Sequence, residues 1–506
     1  MKKRSIKIIS LMLALVTLFG VFASSNIFSV MATSQLPTVF IDGICSSAIV
    51  RFNEDGTKQD VFPPESSVIM DAVKNLPAYY QDALKNDNTF GESFTQAFLA
   101  ALKEVFCIMG CDYDGKPKEN VTISYDNTIP QYKSDDRAYY FSYDWRISPY
   151  EIASQLNTYI KRVKETESAN KVNIVAFSMG GAIFLTYLSQ YGYDDINSVV
   201  MNSTAGMGAS VCGIPMSGNV DVRPEYLVQY LDCFLPGFDY KEIVIDIAKV
   251  LNKTYALNFM VDLLEAYIMA NEEQIYEEIL VPSFASCPGV WAMCPAENYE
   301  DAKNYVFKDG RDELYKNVIA INDKYHYEVQ ANAKELLQDI KDRGGNLAIV
   351  SKYNCPLTPV IEEAKFQSDG VIDTKFTSYG AVVANINETL GEDYVQAKYT
   401  QTNYISPDRV IDASTCWFPQ NTWFIKDLIH SGKCEDLYDF FDYVFQIKTQ
   451  PVVNEEYSQF LVYDKKTDSI SALEDTTPSK YRLGTWFEIL FDMIINFFKI
   501  LFKIAK

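Results

Sequence analysis

The sequence predicts an α/β fold: a mostly parallel sheet flanked by helices, with an inserted helical cap and an amphipathic helix at the C-terminus. Three observations predict it. Apolar runs of strand length alternate with runs of helical spacing between residues 37 and 201. A long helical block then interrupts that rhythm, which resumes at Asn346–Ser351 (NLAIVS). The last apolar stretch, Trp486–Ile504, carries its polar residues at helical intervals.

The elements follow in chain order. Lys2, Lys3, Arg4 and Lys7 precede an apolar run from Ile8 to Ala23, and small residues suited to cleavage stand at Ala23 and Ala32. Residues 1–32 therefore read as an export signal, the alternative being a retained anchor. Pro37–Ile41 (PTVFI) is a strand ending in the turn residues Asp42–Gly43, and Ala138–Tyr143 is a second strand. Ile152, Leu156, Tyr159, Ile160 and Val163 share one face of a helix. Val172–Phe177 (VNIVAF) is a buried strand, with a helix from about Met179 to Gln190 and another strand at Ser198–Met201.

From Pro224 to about Asp342 the pattern is mostly amphipathic helix, for instance Tyr240–Leu251 and Asn258–Glu278. Residues 206–344 are read as a cap inserted between two parts of the core, 33–205 and 345–450, because a compact domain holds no long structureless connection. An extension at 451–483 leads to the helix at 484–506. In it Glu488, Asp492, Asn496, Lys499 and Lys503 form one narrow stripe opposite Trp486, Phe487, Phe491, Phe497, Phe498 and Phe502. Such a helix suits a membrane interface, and its five polar groups make it a poor spanning segment; docking on the protein or on a second copy is the alternative.

Composition narrows the function classes. The 506 residues are 48% hydrophobic and 22% charged, a globular balance. With 67 acidic and 45 basic residues the net charge is -22, which would repel a polyanion and disfavours nucleic acid as a partner. Ten cysteines are too few for a disulfide scaffold; Cys107 with Cys111 and Cys287 with Cys294 are the locally plausible pairs. Two histidines make a Cys/His zinc site improbable, no P-loop or HExxH is present, and no metal or cofactor is expected.

The most informative local signal is AFSMGG, Ala176–Gly181, between an apolar strand and a helix. A serine hydroxyl needs a base to become a nucleophile. A sharp strand-to-helix turn exposes its oxygen, and the next backbone N–H helps to hold an oxyanion. Small flanking residues let strand and helix approach; Ala176 stands where G-x-S-x-G has its first glycine. Ser178 is thus the candidate nucleophile of a serine hydrolase and Met179 the first oxyanion donor. The loop after the first core strand supplies the second, assigned to the Ile44 N–H.

The base must be one of two histidines. His326 lies within the helical block, so His430, which follows every candidate acid, is assigned as base. For the acid, Asp369 precedes the turn residue Gly370 in SDGVID; Asp373 in the same segment, and Asp408 or Asp412 in SPDRVID, are alternatives.

With those residues in place, the chain resembles the lecithin:cholesterol acyltransferase family of α/β-hydrolases. PTVFIDGICSSAI is similar to that family's opening oxyanion segment, with Asp42 where proline is common. YDWR (Tyr143–Arg146) resembles a motif on the strand before the nucleophile. VNIVAFSMGGAIFLTYL resembles the elbow, with Phe177 where histidine is usual. VPSFASCPGVWAMCP resembles the cap segment, with Trp291 and Pro295 retained, and SDGVID the acid segment, which favours Asp369. The resemblance runs with gaps from about residue 37 to 432, and an insertion such as SPDRVIDAS must account for the long interval between Asp369 and His430. It implies the α/β-hydrolase fold, an acyl-enzyme formed from a lipid ester, and transfer to water or another alcohol. The expected function is a serine-dependent lipid-ester hydrolase or acyltransferase, secreted or at an extracellular membrane surface. The alternatives are a general carboxylesterase on soluble esters and a non-catalytic surface or adhesion protein on the same scaffold.

Overall fold

A computed structural model describes residues 36–62, 100, 103, 106–118, 120–130, 137–234, 241–258, 272–398, 400–477 and 480–504. The export signal expected at residues 1–32 lies outside the described residues, as does 259–271 of the helix expected at Asn258–Glu278. The main sheet has eight strands. They are β1 (Thr38–Ile41), β2 (Ala138–Phe141), β3 (Val172–Ser178), β4 (Ile196–Thr204), β5 (Asn346–Tyr353), β6 (Thr422–Lys426), β7 (Phe460–Asp464) and β8 (Ser469–Ala472).

In space the order is β2-β1-β3-β4-β5-β6-β7-β8, and each pair is parallel except β7 with β8. Both faces of the sheet are buried, and alternate side chains of each strand divide between them. Val39, Ile41, Tyr139, Phe141, Ile174, Ala176, Val199, Met201, Leu347 and Ile349 join one core. It is covered by α1 (Pro149–Glu167), α2 (Gly180–Tyr191) and α5 (Ala333–Asp342). Phe40, Tyr140, Val175, Val200, Ala348, Val350, Trp423 and Ile425 face the other way, onto α6 (Glu435–Gln446). This doubly covered parallel sheet is the α/β-hydrolase fold.

The elements end where local chemistry dictates. Ser148 caps α1 by accepting from the Tyr150 N–H at 3.3 Å, with Pro149 at the first helical position. Gly192 closes α2 at φ 72°, a conformation without a Cβ penalty. Between β4 and β5 the described residues hold helices and no strand, including α3 (Pro224–Phe234), α4 (Lys241–Lys253) and a π-helical segment at Tyr276–Ala285.

Two features depart from the sequence reading. Residues 451–483, read as an extension beyond the core, contribute β7 and β8 to the main sheet. SISA lacks the continuous apolar run that marks an inner strand, and the FLVY run beside it is short and mostly half-buried. A small antiparallel sheet of Ile49–Phe52, Lys58–Phe62 and Val121–Ile123 follows β1; its strands are three to five residues long and show no sustained apolar or alternating pattern.

The terminal helix α7 (Trp486–Ile504) lies on α4. Ile489 is buried there and the Asn496 amide donates to Asp246 at 2.9 Å, while Trp486, Phe487, Leu490 and Phe491 point outward. No helix among the described residues is long and apolar enough to cross a membrane.

Candidate active site

The sheet order reverses around β1, which sits between β2 and β3, so a crevice opens beyond the carboxyl ends of β1 and β3. Ser178 ends β3 and the Gly43–Ile44 loop follows β1, both at that point. Ser178 has φ 55°, a left-handed conformation costly for a residue with a side chain. The turn holds it because neighbours have no room for anything larger. A Cβ on Gly180 would stand 2.3 Å from the Ile41 carbonyl oxygen, and one on Gly181 2.4 Å from Thr204 Cβ. A Cβ on Gly43 would come within 2.7 Å of Ser178 Cβ. Ala176 is fully buried, so the departure from glycine there adds only a methyl group to the core.

The N–H groups of Ile44 and Met179 flank this turn and have no acceptor among the described residues. The Ile44 loop is shaped by Cys45, at φ 66°, and braced from below by the Tyr143 hydroxyl, which donates to the Asp42 carbonyl at 2.8 Å. Ser142 Oγ donates to the Asp42 carboxylate.

The other members come from the far side of the sheet. Asp369 follows β5, is fully buried, and accepts through Oδ1 from the N–H groups of Val371 (3.0 Å) and Ile372 (2.8 Å). His430 follows β6, and its Nδ1 lies 2.7 Å from Asp369 Oδ2. The His430 ring packs, tilted by 34° at a centroid distance of 4.7 Å, against Phe177, the residue before Ser178. Phe177, where sequence expects histidine, thus joins the elbow to the imidazole.

The alternative residues have other partners. Asp408 pairs with Lys426 at 2.9 Å and accepts from Ser406 and Tyr353. Asp373 binds the N–H and hydroxyl of Ser210 at the entrance to the cap. Asp412 accepts from Tyr394 and from the Ala397 and Ser414 N–H groups. His326 is buried in the cap, stacked at 3.7 Å on Tyr299, with Nδ1 on Gln330 and Nε2 on the Trp291 carbonyl. Burial holds its pKa down to about 4, against the pull of those two hydrogen bonds.

The YDWR segment is structural. Arg146 is fully buried and doubly bonded to Asp144 (2.8 and 2.7 Å), and donates to the carbonyls of Met109 (2.9 Å) and Val121 (3.1 Å). The cap segment closes on it: Gly289 donates to the Arg146 carbonyl at 3.1 Å, and a Cβ there would meet the Trp145 carbonyl oxygen at 2.0 Å and Met179 Cε at 2.9 Å. The residue after Ser178 therefore touches the cap.

All ten cysteines are free thiols. The locally plausible pairs are replaced by distant ones: Cys111 is in side-chain contact with Cys287, and Cys233 with Cys355. No cluster of metal-ligating side chains occurs among the described residues. A lysine that the sequence reading overlooked, Lys352 near the end of β5, lies under His430.

The family model described as lecithin:cholesterol acyltransferase matches residues 131–217, a stretch that includes YDWR and the Ser178 turn. No curated protein matches the chain. Among solved structures it is similar to a chain of "The crystal structure of Tle4-Tli4 complex", at 13% identity over 63% of this chain and 75% of that one. The TM-score is 0.26, a likeness too slight to bear on function.

Proposed function

We propose that this chain, a lecithin:cholesterol acyltransferase-like α/β-hydrolase, cleaves lipid esters through an acyl-enzyme on Ser178. The observation that carries the reading is the buried Asp369–His430 pair, packed through Phe177 against the serine turn. Ser178 Oγ attacks the ester carbonyl carbon as its proton passes to His430 Nε2, the ring nitrogen opposite the one that Asp369 holds. Asp369 stabilises the imidazolium. The Ile44 and Met179 N–H groups receive the oxyanion. His430 then protonates the departing alkoxide, and water or a second alcohol takes the acyl group by the reverse path.

The lipid preference is supported by the family match and by the outward aromatic face of α7, where Phe487 is 78% and Phe491 53% exposed. Such a face suits the interfacial layer of a membrane. The basic start and apolar run of residues 1–32 support a location outside the cell or on its outer surface. A protein acting on soluble esters would have no use for this face, so chain-length preference separates the two enzyme readings.

Labelling of the purified protein by a fluorophosphonate, beside Ser178→Ala and His430→Ala, is the test. Labelling lost in both folded variants supports the reading. An unlabelled wild-type protein, from pH 6 to 9 and with detergent present, would return it to a non-catalytic role.

A further inference from the structure

Strand β5 runs through the middle of the sheet with every residue buried, and its sequence is Asn-Leu-Ala-Ile-Val-Ser-Lys-Tyr. A lysine at 0% exposure in such a strand gives up its hydration, which costs stability unless its donors are used. On the neighbouring strand β6, Lys426 meets that demand with a carboxylate, Asp408 at 2.9 Å. Lys352 meets it differently. Its ammonium donates to the main-chain carbonyls of His430 at 2.8 Å and Gly432 at 2.9 Å. These carbonyls lie two residues apart on a turn, closed by the Gly432 N–H donating to Ile429 at 2.8 Å. One ammonium therefore grips the turn that presents His430. The same Nζ stands 5.9 Å from the ring centroid of Phe177, against which the imidazole packs.

We propose that Lys352 is a positioning residue for His430: it fixes the main chain of the base's loop while Asp369 fixes the ring. The assignment rests on the serine-hydrolase reading for its effect on rate, but the geometry it asserts is independent of it. The ionisable groups facing Lys352 are Asp369, Cys434 and His430 itself. Burial lowers the lysine pKa to about 8, with Asp369 and Cys434 opposing, so the group is charged at neutral pH.

The test compares the full chain with Lys352→Met, which keeps the length and loses the donors, and Lys352→Arg, which keeps donors and charge. Turnover of a short-chain ester and the rate of fluorophosphonate labelling are followed against pH. The downfield ring N–H proton signals of the two histidines are recorded by NMR, with buried His326 as internal reference. The expected result for Lys352→Met is a kcat reduced tenfold or more with KM within twofold, and a His430 signal shifted while His326 is unmoved. Lys352→Arg recovers much of the lost kcat. A Lys352→Met enzyme with wild-type rate and His430 signal overturns the proposal. So does loss of both histidine signals together, which would assign Lys352 to the fold as a whole. A wild-type protein that takes no label refutes the hydrolase reading, and the His430 signal still decides the positioning role.

Discussion

Asp369 and His430 are joined twice. The carboxylate Oδ2 meets the ring Nδ1 at 2.7 Å, and the His430 backbone N–H donates to the Asp369 carbonyl at 2.8 Å. The second bond sets the height of the histidine's main chain above the acid before any side chain is considered. Substituting Asp369→Asn retains the shape but favours the wrong ring tautomer, so kcat is expected to fall by about 10⁴. Steady-state kinetics on a short-chain ester, with circular dichroism to verify folding, measures this.

Gly43 sets a second requirement. A methyl group there would lie 2.7 Å from Ser178 Cβ and 3.1 Å from its Oγ, inside the space that a substrate carbonyl must enter. Gly43→Ala is expected to lower kcat/KM by at least 100-fold, on the order of losing an oxyanion donor. Ester kinetics should record the loss, with the melting temperature, which the contact with Ser178 Cβ lowers, measured beside it so that the comparison is made on folded protein; a wild-type kcat/KM would show that the carbonyl enters elsewhere.

Arg146 predicts a stability effect. Arg146→Met leaves Asp144 as an uncompensated buried charge and frees the carbonyls of Met109 and Val121. The expected loss is about 3–5 kcal/mol, read from urea unfolding. A loss under about 1 kcal/mol would mean that water replaces the guanidinium.

The cap carries a pH dependence. His326 has a pKa lowered to about 4 from 6.5, burial being the main cause, so the unfolded chain binds the extra proton first as pH falls. Its contribution is complete above pH 6.5 and is lost as pH falls toward 4, with a full amplitude of roughly 3 kcal/mol. Thermal unfolding across that range should show the decline, and His326→Phe should flatten it.

The exposed aromatic face of α7 gives a binding test. Phe487 and Phe491 stack on one another at 6.1 Å, outward from the protein. Replacing both by serine should leave the melting temperature unchanged and lower partition onto anionic vesicles at least tenfold, given the transfer free energy of two aromatic side chains. Equal sedimentation with vesicles for wild type and variant would remove membrane contact from the account.

Much of this architecture was legible in the sequence because burial on both faces writes a continuous apolar run, as in Val172–Phe177 and Asn346–Ser351. The elbow was legible because Gly180 and Gly181 are demanded by steric contact within a few residues. What escaped has physical reasons as well. Strand β8 is half exposed at the sheet edge and writes no such run, and the FLVY of β7 is only four residues long. Lys352 reads as an interruption in an apolar strand, since the carbonyls that justify it lie 78 and 80 residues onward. Cys111 finds Cys287 across an interval that no spacing rule reaches.

The order in which the sheet is threaded has a consequence for biosynthesis. The serine turn belongs to β3, while the histidine follows β6, a strand that pairs with β5 only after the whole intervening cap has been made. A polypeptide emerging N-terminus first therefore presents its nucleophile long before it owns a base. A polypeptide that ends before His430 lacks the Asp369–His430 pair altogether. The late arrival of one loop delays completion of the site until most of the chain has been made.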